Sequence, residues 1–158
     1  MKRAPLILSL AAALFTCCGT PVGTDLKPRI VVLTDIGPAE VEPDDNESAV
    51  RLLAYADRFE IEGIITTIGW NCDPYPEEWA EYLFRVIDGY ETDVNNLMKR
   101  SGQTGFREDE DRQKLGYWPS AGYLRGRSVM GSTRAGIGVI GEGNDSPGSE
   151  LLIRLADE

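Results

Sequence analysis

The spacing of apolar and polar positions along the chain predicts an α/β fold. Ile30 to Thr34 is a continuous apolar run closed by a threonine, the pattern of a strand buried on both faces. From Asn46 to Asp57 the apolar residues, Val50, Leu53 and Ala54 among them, recur at helical spacing, and Asp44 or Asp45 is placed to cap that helix. Glu60 to Thr67 then brings a second β-branched run, with Ile61, Ile64, Ile65, Thr66 and Thr67. Strand, helix and strand within about 40 residues predict a βαβ unit, hence parallel pairing and a right-handed crossover.

Beyond that unit the pattern weakens. The turn Gly69-Trp70-Asn71-Cys72-Asp73-Pro74 ends the second strand, and a helix from about Pro76 to Asp88 is expected, with Trp79, Leu83, Val86 and Ile87 on its apolar side. Asp93 to Arg127 is polar, charged and marked by Gly102, Gly105, Gly116, Pro119 and Gly122, which predicts an insertion over the ligand side or a flexible excursion. Gly131 to Gly148 is a second glycine-rich stretch. Ser146-Pro147 then reads as the N-cap and first turn of a helix carrying Leu151, Leu152 and Leu155. Two clear strands are few for a finished sheet. The expectation is therefore the N-terminal part of a mostly parallel, Rossmann-like open sheet, truncated, spanning residues 29–158.

The chain before it has a different character. Lys2 and Arg3 precede an apolar run from Leu6 to Phe15, matching a signal peptide and well short of the ~20 residues of a spanning helix. Leu14-Phe15-Thr16-Cys17-Cys18-Gly19 resembles a bacterial lipoprotein box, with Cys17 or Cys18 as the lipid-bearing residue, although Thr16 stands where a smaller residue is usual. Residues 1–18 are thus expected to direct export to the periplasm or cell surface, with a lipid anchor as the only membrane contact. Residues 19–28 are expected to be a linker.

Charge and composition narrow the chemistry. Sixteen Lys and Arg face 26 Asp and Glu, for a net charge of −10, which argues against nucleic acid or an anionic membrane surface as the partner. The chain has no histidine, so a Ser-His-Asp machine and a His-ligated zinc or iron site are excluded within these residues. With Cys17 and Cys18 in the export segment, Cys72 is a lone thiol, more often a packing residue than a nucleophile.

The concentrated feature is the loop after the first strand. It holds Asp35, Glu40, Glu42, Asp44 and Asp45, which repel one another unless a cation, a proton or hydration offsets them. An all-oxygen set suits calcium or magnesium. In open α/β sheets ligands bind beyond the carboxyl ends of the strands, so Asp35 and Asn71, each at or just past a strand end, are expected to share one edge with Asp44 and Asp45. Gly136-Ile137-Gly138-Val139-Ile140-Gly141 matches a dinucleotide fingerprint, but no clear strand precedes it and it carries little weight. Among the aromatics, Trp118 with Tyr117 in the polar segment is the favoured sugar-stacking candidate, and Trp79 is assigned to the core.

At these residues the chain resembles nucleoside hydrolases, which open with a buried strand, D-x-D-P-G-x-D-D, a helix, and a strand ending T-T-x-x-G-N. The counterparts are Val31 to Asp35, then Glu42-Pro43-Asp44-Asp45, and Thr66-Thr67-Ile68-Gly69-Trp70-Asn71. A closer resemblance is to exported bacterial nucleoside-hydrolase-like proteins, some labelled cellulose-binding, which share T-D-I-G, P-D-D and the later Gly141-Glu142-Gly143-Asn144-Asp145-Ser146-Pro147-Gly148-Ser149 segment. The resemblance implies that Asp45 chelates calcium, Asp35 shapes the metal site, Asp44 contacts sugar hydroxyls and Asn71 lies near the sugar. It also implies a metal-bound water as nucleophile, deprotonated by the middle Asp of the motif.

The chain departs from that pattern at one point. Gly37 stands two residues after Asp35, where the middle Asp belongs, and Glu42, or failing that Glu40, is the substitute base. Two functions follow as expectations: a calcium-dependent hydrolase of N-ribosides or related glycosides, or a protein of the same fold that binds a carbohydrate such as a cellulose-like polysaccharide without cleaving it. A phosphatase using Asp35 as nucleophile is a weaker third, because the acid two residues on is missing.

Overall fold

The computed structural model describes residues 26–70, 72–107 and 110–157; the segment expected to direct export, residues 1–18, and Asn71 lie outside them. Three parallel strands form one sheet in the order β1-β2-β3: β1 (Arg29–Thr34), β2 (Glu60–Thr66) and β3 (Ser128–Met130). Val32 pairs with Ile64 and Thr34 with Thr66 across β1 and β2, and Ile64 to Thr66 pair with Ser128 to Met130. The central strand β2 is buried along its whole length. The expected βαβ unit and α/β class are present, joined by a third strand that its three residues gave no periodicity to reveal.

Helices cover both faces of the sheet. On one, α1 (Pro43–Ala54) and α2 (Ala80–Ser101) pack on each other, and Ile64, Leu53 and Leu83 meet in the main core. On the other, α4 (Pro147–Asp157) sits against β2 and β3. It approaches so closely that a Cβ at Gly63 would lie 2.7 Å from Leu151 Cδ2, and one at Gly148 2.7 Å from Ile65 Cγ2. The glycines of β2 and α4 are therefore contact points between layers. Among the described residues, no helix is long and apolar enough to cross a membrane.

Two expectations are corrected here. The polar segment from Asp93 is no excursion: α2 continues to Ser101 and ends on Gly102 in the left-handed conformation at φ 75°. Its buried stripe, Leu83, Ile87, Tyr90, Val94 and Met98, keeps helical spacing through a sequence whose composition is polar. The short helix α3 (Ala121–Gly126) follows, capped by Ser120, whose Oγ accepts from the Tyr123 amide, and its Leu124 is fully buried.

The last residues of the expected linker also belong to the fold. Leu26 bridges Lys114, and Lys27 is buried, its Nζ donating to the Ala56 carbonyl at 3.1 Å and lying 5.5 Å from the Tyr117 ring centroid. This anchor sits at the amino-terminal end of the strands, opposite the acidic loop. Burial pulls the Lys27 ammonium down to about 8, against the opposing pull of Glu60 and Asp57.

Candidate functional site at the carboxyl edge of the sheet

Parallel strands leave their carboxyl ends on one edge, and the three loops that follow β1, β2 and β3 are stitched together there. Thr67 donates its amide to the Thr34 carbonyl at 2.9 Å, and the Gly131 amide donates to Thr66 at 2.7 Å. Farther out, the Ile68 amide and the Thr67 hydroxyl both donate to the Ser132 carbonyl, and the Tyr75 amide donates to Thr133. Asp35 fits into this edge because Gly69 has no side chain: a Cβ there would collide with the Asp35 carboxyl group.

The acidic loop is built around Asp45. Its Oδ2 accepts from the Thr34 hydroxyl at 2.8 Å and from the Asp35 amide at 2.9 Å. Neither Asp44 nor Asp45 caps α1, contrary to expectation. The helix begins three residues earlier than its pattern suggested, with Pro43 in its first turn and Glu42 at the N-cap position, its side chain making no capping hydrogen bond. Both aspartates lie in the first turn, where the helix dipole favours negative charge. Asn46 holds the loop's span, its Nδ2 donating to both Gly37 O and Glu42 O at 2.7 Å. Tyr75 fixes the inner end, its hydroxyl donating to the carbonyl of fully buried Ile36 at 2.7 Å.

The crowding of carboxyl groups raises the pKa of Asp35 and of Glu42. Asp35 is held above the usual carboxylate range by burial, by a hydrogen bond with the Asp45 carboxyl and by the charges of Asp45 and Asp44. Glu42, only 5% exposed, is raised by burial and then by Asp35, Asp44 and Asp45. The Cys72 thiol beside them is raised by burial and by Asp35 and Glu42, which keeps it protonated and unsuited to nucleophilic attack. The structure thus brings Asp35, Glu42, Asp44 and Asp45 into one electrostatic unit.

For a hard cation the donor chemistry fits: the donors are oxygens, and two of the carboxylates are close enough to share a hydrogen bond. Among the described residues, however, no group of three or more Asp, Glu, Cys or His side chains is gathered as a metal cluster. Asp35 and Asp45 are the pair that would hold such an ion.

Gly37 explains the departure from the hydrolase motif. The indole of Trp79 covers its α-carbon, and a Cβ there would collide with Cε3 of the ring. Trp79 is in turn set edge-on to Tyr75, with ring centroids 5.8 Å apart at 81°. It is half-buried and occupies the volume that a side chain at position 37 would need.

Trp118 requires a correction. It is 7% exposed and part of the main core, and its backbone amide and carbonyl are both bound by the Gln103 side chain. It lies with Tyr55, Asp57 and Arg58 beyond the end of α1, at the opposite end of the sheet from Asp35. Polar sequence neighbours concealed that burial. The exposed tryptophan is Trp70, 90% exposed, immediately after Gly69 on the carboxyl edge. A groove of about 640 Å³ between α1 and α2 is lined by Val50, Tyr82, Val86 and Leu97 and meets the acidic loop's supports only at Asn46.

Comparison with known proteins agrees with this layout. A family profile described as "Cellulose-binding Sde182, nucleoside hydrolase-like domain" matches residues 29–158. No curated protein matches. Among solved structures, a nucleoside hydrolase-related hypothetical protein from Saccharophagus degradans, described as associated with carbohydrate metabolism, is 33% identical with a TM-score of 0.64. The match covers 84% of this chain and 28% of that one, so the chain spans little more than a quarter of its relative's length.

Proposed function

This chain belongs to the cellulose-binding Sde182, nucleoside hydrolase-like family, and on that premise we propose that it binds a neutral carbohydrate at the carboxyl edge of its sheet without hydrolysing it. The observation that carries the reading is the Trp79 indole over Gly37. Nucleoside hydrolysis as the resemblance describes it needs a carboxylate two residues after Asp35, and here an aromatic ring fills that space. What is left is an oxygen-rich recognition surface. Asp44, exposed at the start of α1, and Asp35 and Asp45, half-buried behind it, can accept hydrogen bonds from sugar hydroxyls.

Calcium belongs to the proposal. Bound between Asp35 and Asp45, it would supply a hard Lewis-acidic centre for sugar oxygens and offset the repulsion that lifts the Asp35 pKa. The protein's own part is to fix the carboxylates: Thr34 and the Asp35 amide hold Asp45, and Asn46 sets the loop's width. The proposal extends to export, supported by Lys2-Arg3, the apolar run to Phe15 and the Cys17-Cys18 pair.

One observation favours the second reading, hydrolysis of an N-riboside or related glycoside. Glu42 is buried next to the other carboxylates and its pKa is raised above the usual carboxylate range by burial and by Asp35, Asp44 and Asp45, the direction a general base needs. The two readings separate in one assay on the full-length mature protein: release of reducing sugar from nucleosides and from cello-oligosaccharides in the presence of calcium. Binding without release supports the proposal. Turnover that disappears in Glu42→Gln establishes the hydrolase.

A further inference from the structure

We infer that Trp70 is a stacking platform for a pyranose ring of a neutral, β-linked glucan chain, set beside the acidic loop. The inference rests on the carbohydrate-binding reading and deepens it, by naming the residue that takes the sugar's apolar face.

The three tryptophans have separate fates. Trp118 is in the core and Trp79 is packed over Gly37, while Trp70 is 90% exposed. Its position is fixed by its neighbours in the chain. Gly69, the preceding residue, has the Asp35 carboxyl resting against its α-carbon. The indole is therefore carried one residue from the point where the acidic loop touches the second loop.

That second loop is held at both ends. Ile68 is bound to Ser132 before Trp70, and Tyr75 to Thr133 after it, with Asp73 and Arg134 3.9 Å apart between the same two segments. These contacts tie the described residues on both sides of Trp70 to the third loop. The loop after β3 also carries exposed apolar residues, Ile137 at 90% and Ile140 at 76%.

An open apolar surface bordered by carboxylates has the two features a pyranose ring requires. Its axial C–H face packs on an aromatic or aliphatic surface, and its equatorial hydroxyls donate to carboxylate oxygens. The charge selects further. Asp35, Glu42, Asp44, Asp45 and Asp73 lie on this edge, so uronic acids, sulfated glycans and nucleotide phosphates are repelled and neutral sugars are not. Because Trp70 is open to solvent, it suits a chain passing across the edge.

The test titrates the full-length protein with cellohexaose, following tryptophan emission and calorimetric heat together. The expected result is a blue shift of the emission that is absent in Trp70→Phe. Affinity should fall at least tenfold in Trp70→Ala and by less in Trp70→Phe, with circular dichroism confirming that both variants fold. Wild-type affinity in Trp70→Ala overturns the platform and leaves the carbohydrate reading standing. No binding of cellohexaose by the wild-type protein overturns both.

Discussion

The Trp79 ring lies against the Gly37 α-carbon, so a side chain at position 37 requires the ring to move. The indole takes the place of a side chain that the nucleoside hydrolase motif puts two residues after the strand-end aspartate. The loop between Asp35 and Asp44 is longer than in that motif, and Asn46 and Tyr75 hold it in shape around the ring.

Restoring the motif residue alone should therefore fail. Gly37→Asp is expected to cost about 1–3 kcal/mol, the scale for forcing a larger side chain into filled space, and to confer no nucleoside hydrolysis. Combined with Trp79→Ala, the same change should cost clearly less than the two single losses added. Urea unfolding of the four proteins in a double-mutant cycle checks this.

The strand-helix-strand unit and the acidic edge were legible in the sequence because they rest on local patterns. The β1 and β2 runs are apolar without interruption, and the carboxylates are adjacent in the chain. Trp118 was misread for the opposite reason. Its burial depends on α2 running on through polar residues to Ser101, and only the wide spacing of Tyr90, Val94 and Met98 signalled that. The covering of Gly37 was also invisible, because Gly37 and Trp79 meet only after β2 returns the chain to the same edge. The strand β3 has three residues, too few to show a period.

The repulsion within the acidic loop predicts a pH dependence. Asp35 and Glu42 have folded pKa values raised above their unfolded ones. Their contribution to stability is then present below the unfolded carboxylate pKa and is lost as pH rises through the folded values. Without added cation the protein should lose stability across that window, and calcium should raise the melting temperature more at pH 7 than at pH 4.5. Differential scanning fluorimetry at the two pH values, with calcium and with EDTA, measures it.

Asp35→Asn keeps the shape against Gly69 and removes one negative charge. At pH 7 without calcium it should leave stability unchanged or raise it by up to about 1 kcal/mol, the range for partly solvated charge pairs. The calcium-induced rise in melting temperature should vanish. Retention of the full calcium effect in this variant would remove Asp35 from the proposed ion site.

Asn46→Ala deletes two hydrogen bonds that set the width of the loop. A loss of about 1–3 kcal/mol is expected from hydrogen bonds of this kind. Carbohydrate affinity should fall in the same variant, although Asn46 is placed to support the loop and not to touch the sugar. Chemical denaturation and calorimetry together separate the two effects.

At the far end of the sheet, Lys27 gives a second pH signature. Its folded pKa is lowered to about 8 from 10.5. Between those values the unfolded chain binds more protons, so this group makes stability rise with pH there, and below about 8 its unfavourable contribution is fully present. The stability difference between wild type and Lys27→Met should accordingly shift in favour of wild type as pH goes from 7.5 to 9.5. A difference that does not change with pH would mean that Lys27 is not desolvated.

The most direct measurement of the central claim is calorimetric titration of the full-length protein with cellohexaose in calcium buffer, followed by chromatography of the recovered sugar. The account predicts saturable binding, weakened by Asp45→Asn, with the hexasaccharide recovered intact. Shortened oligosaccharides, or no heat of binding at any concentration reached, would contradict it.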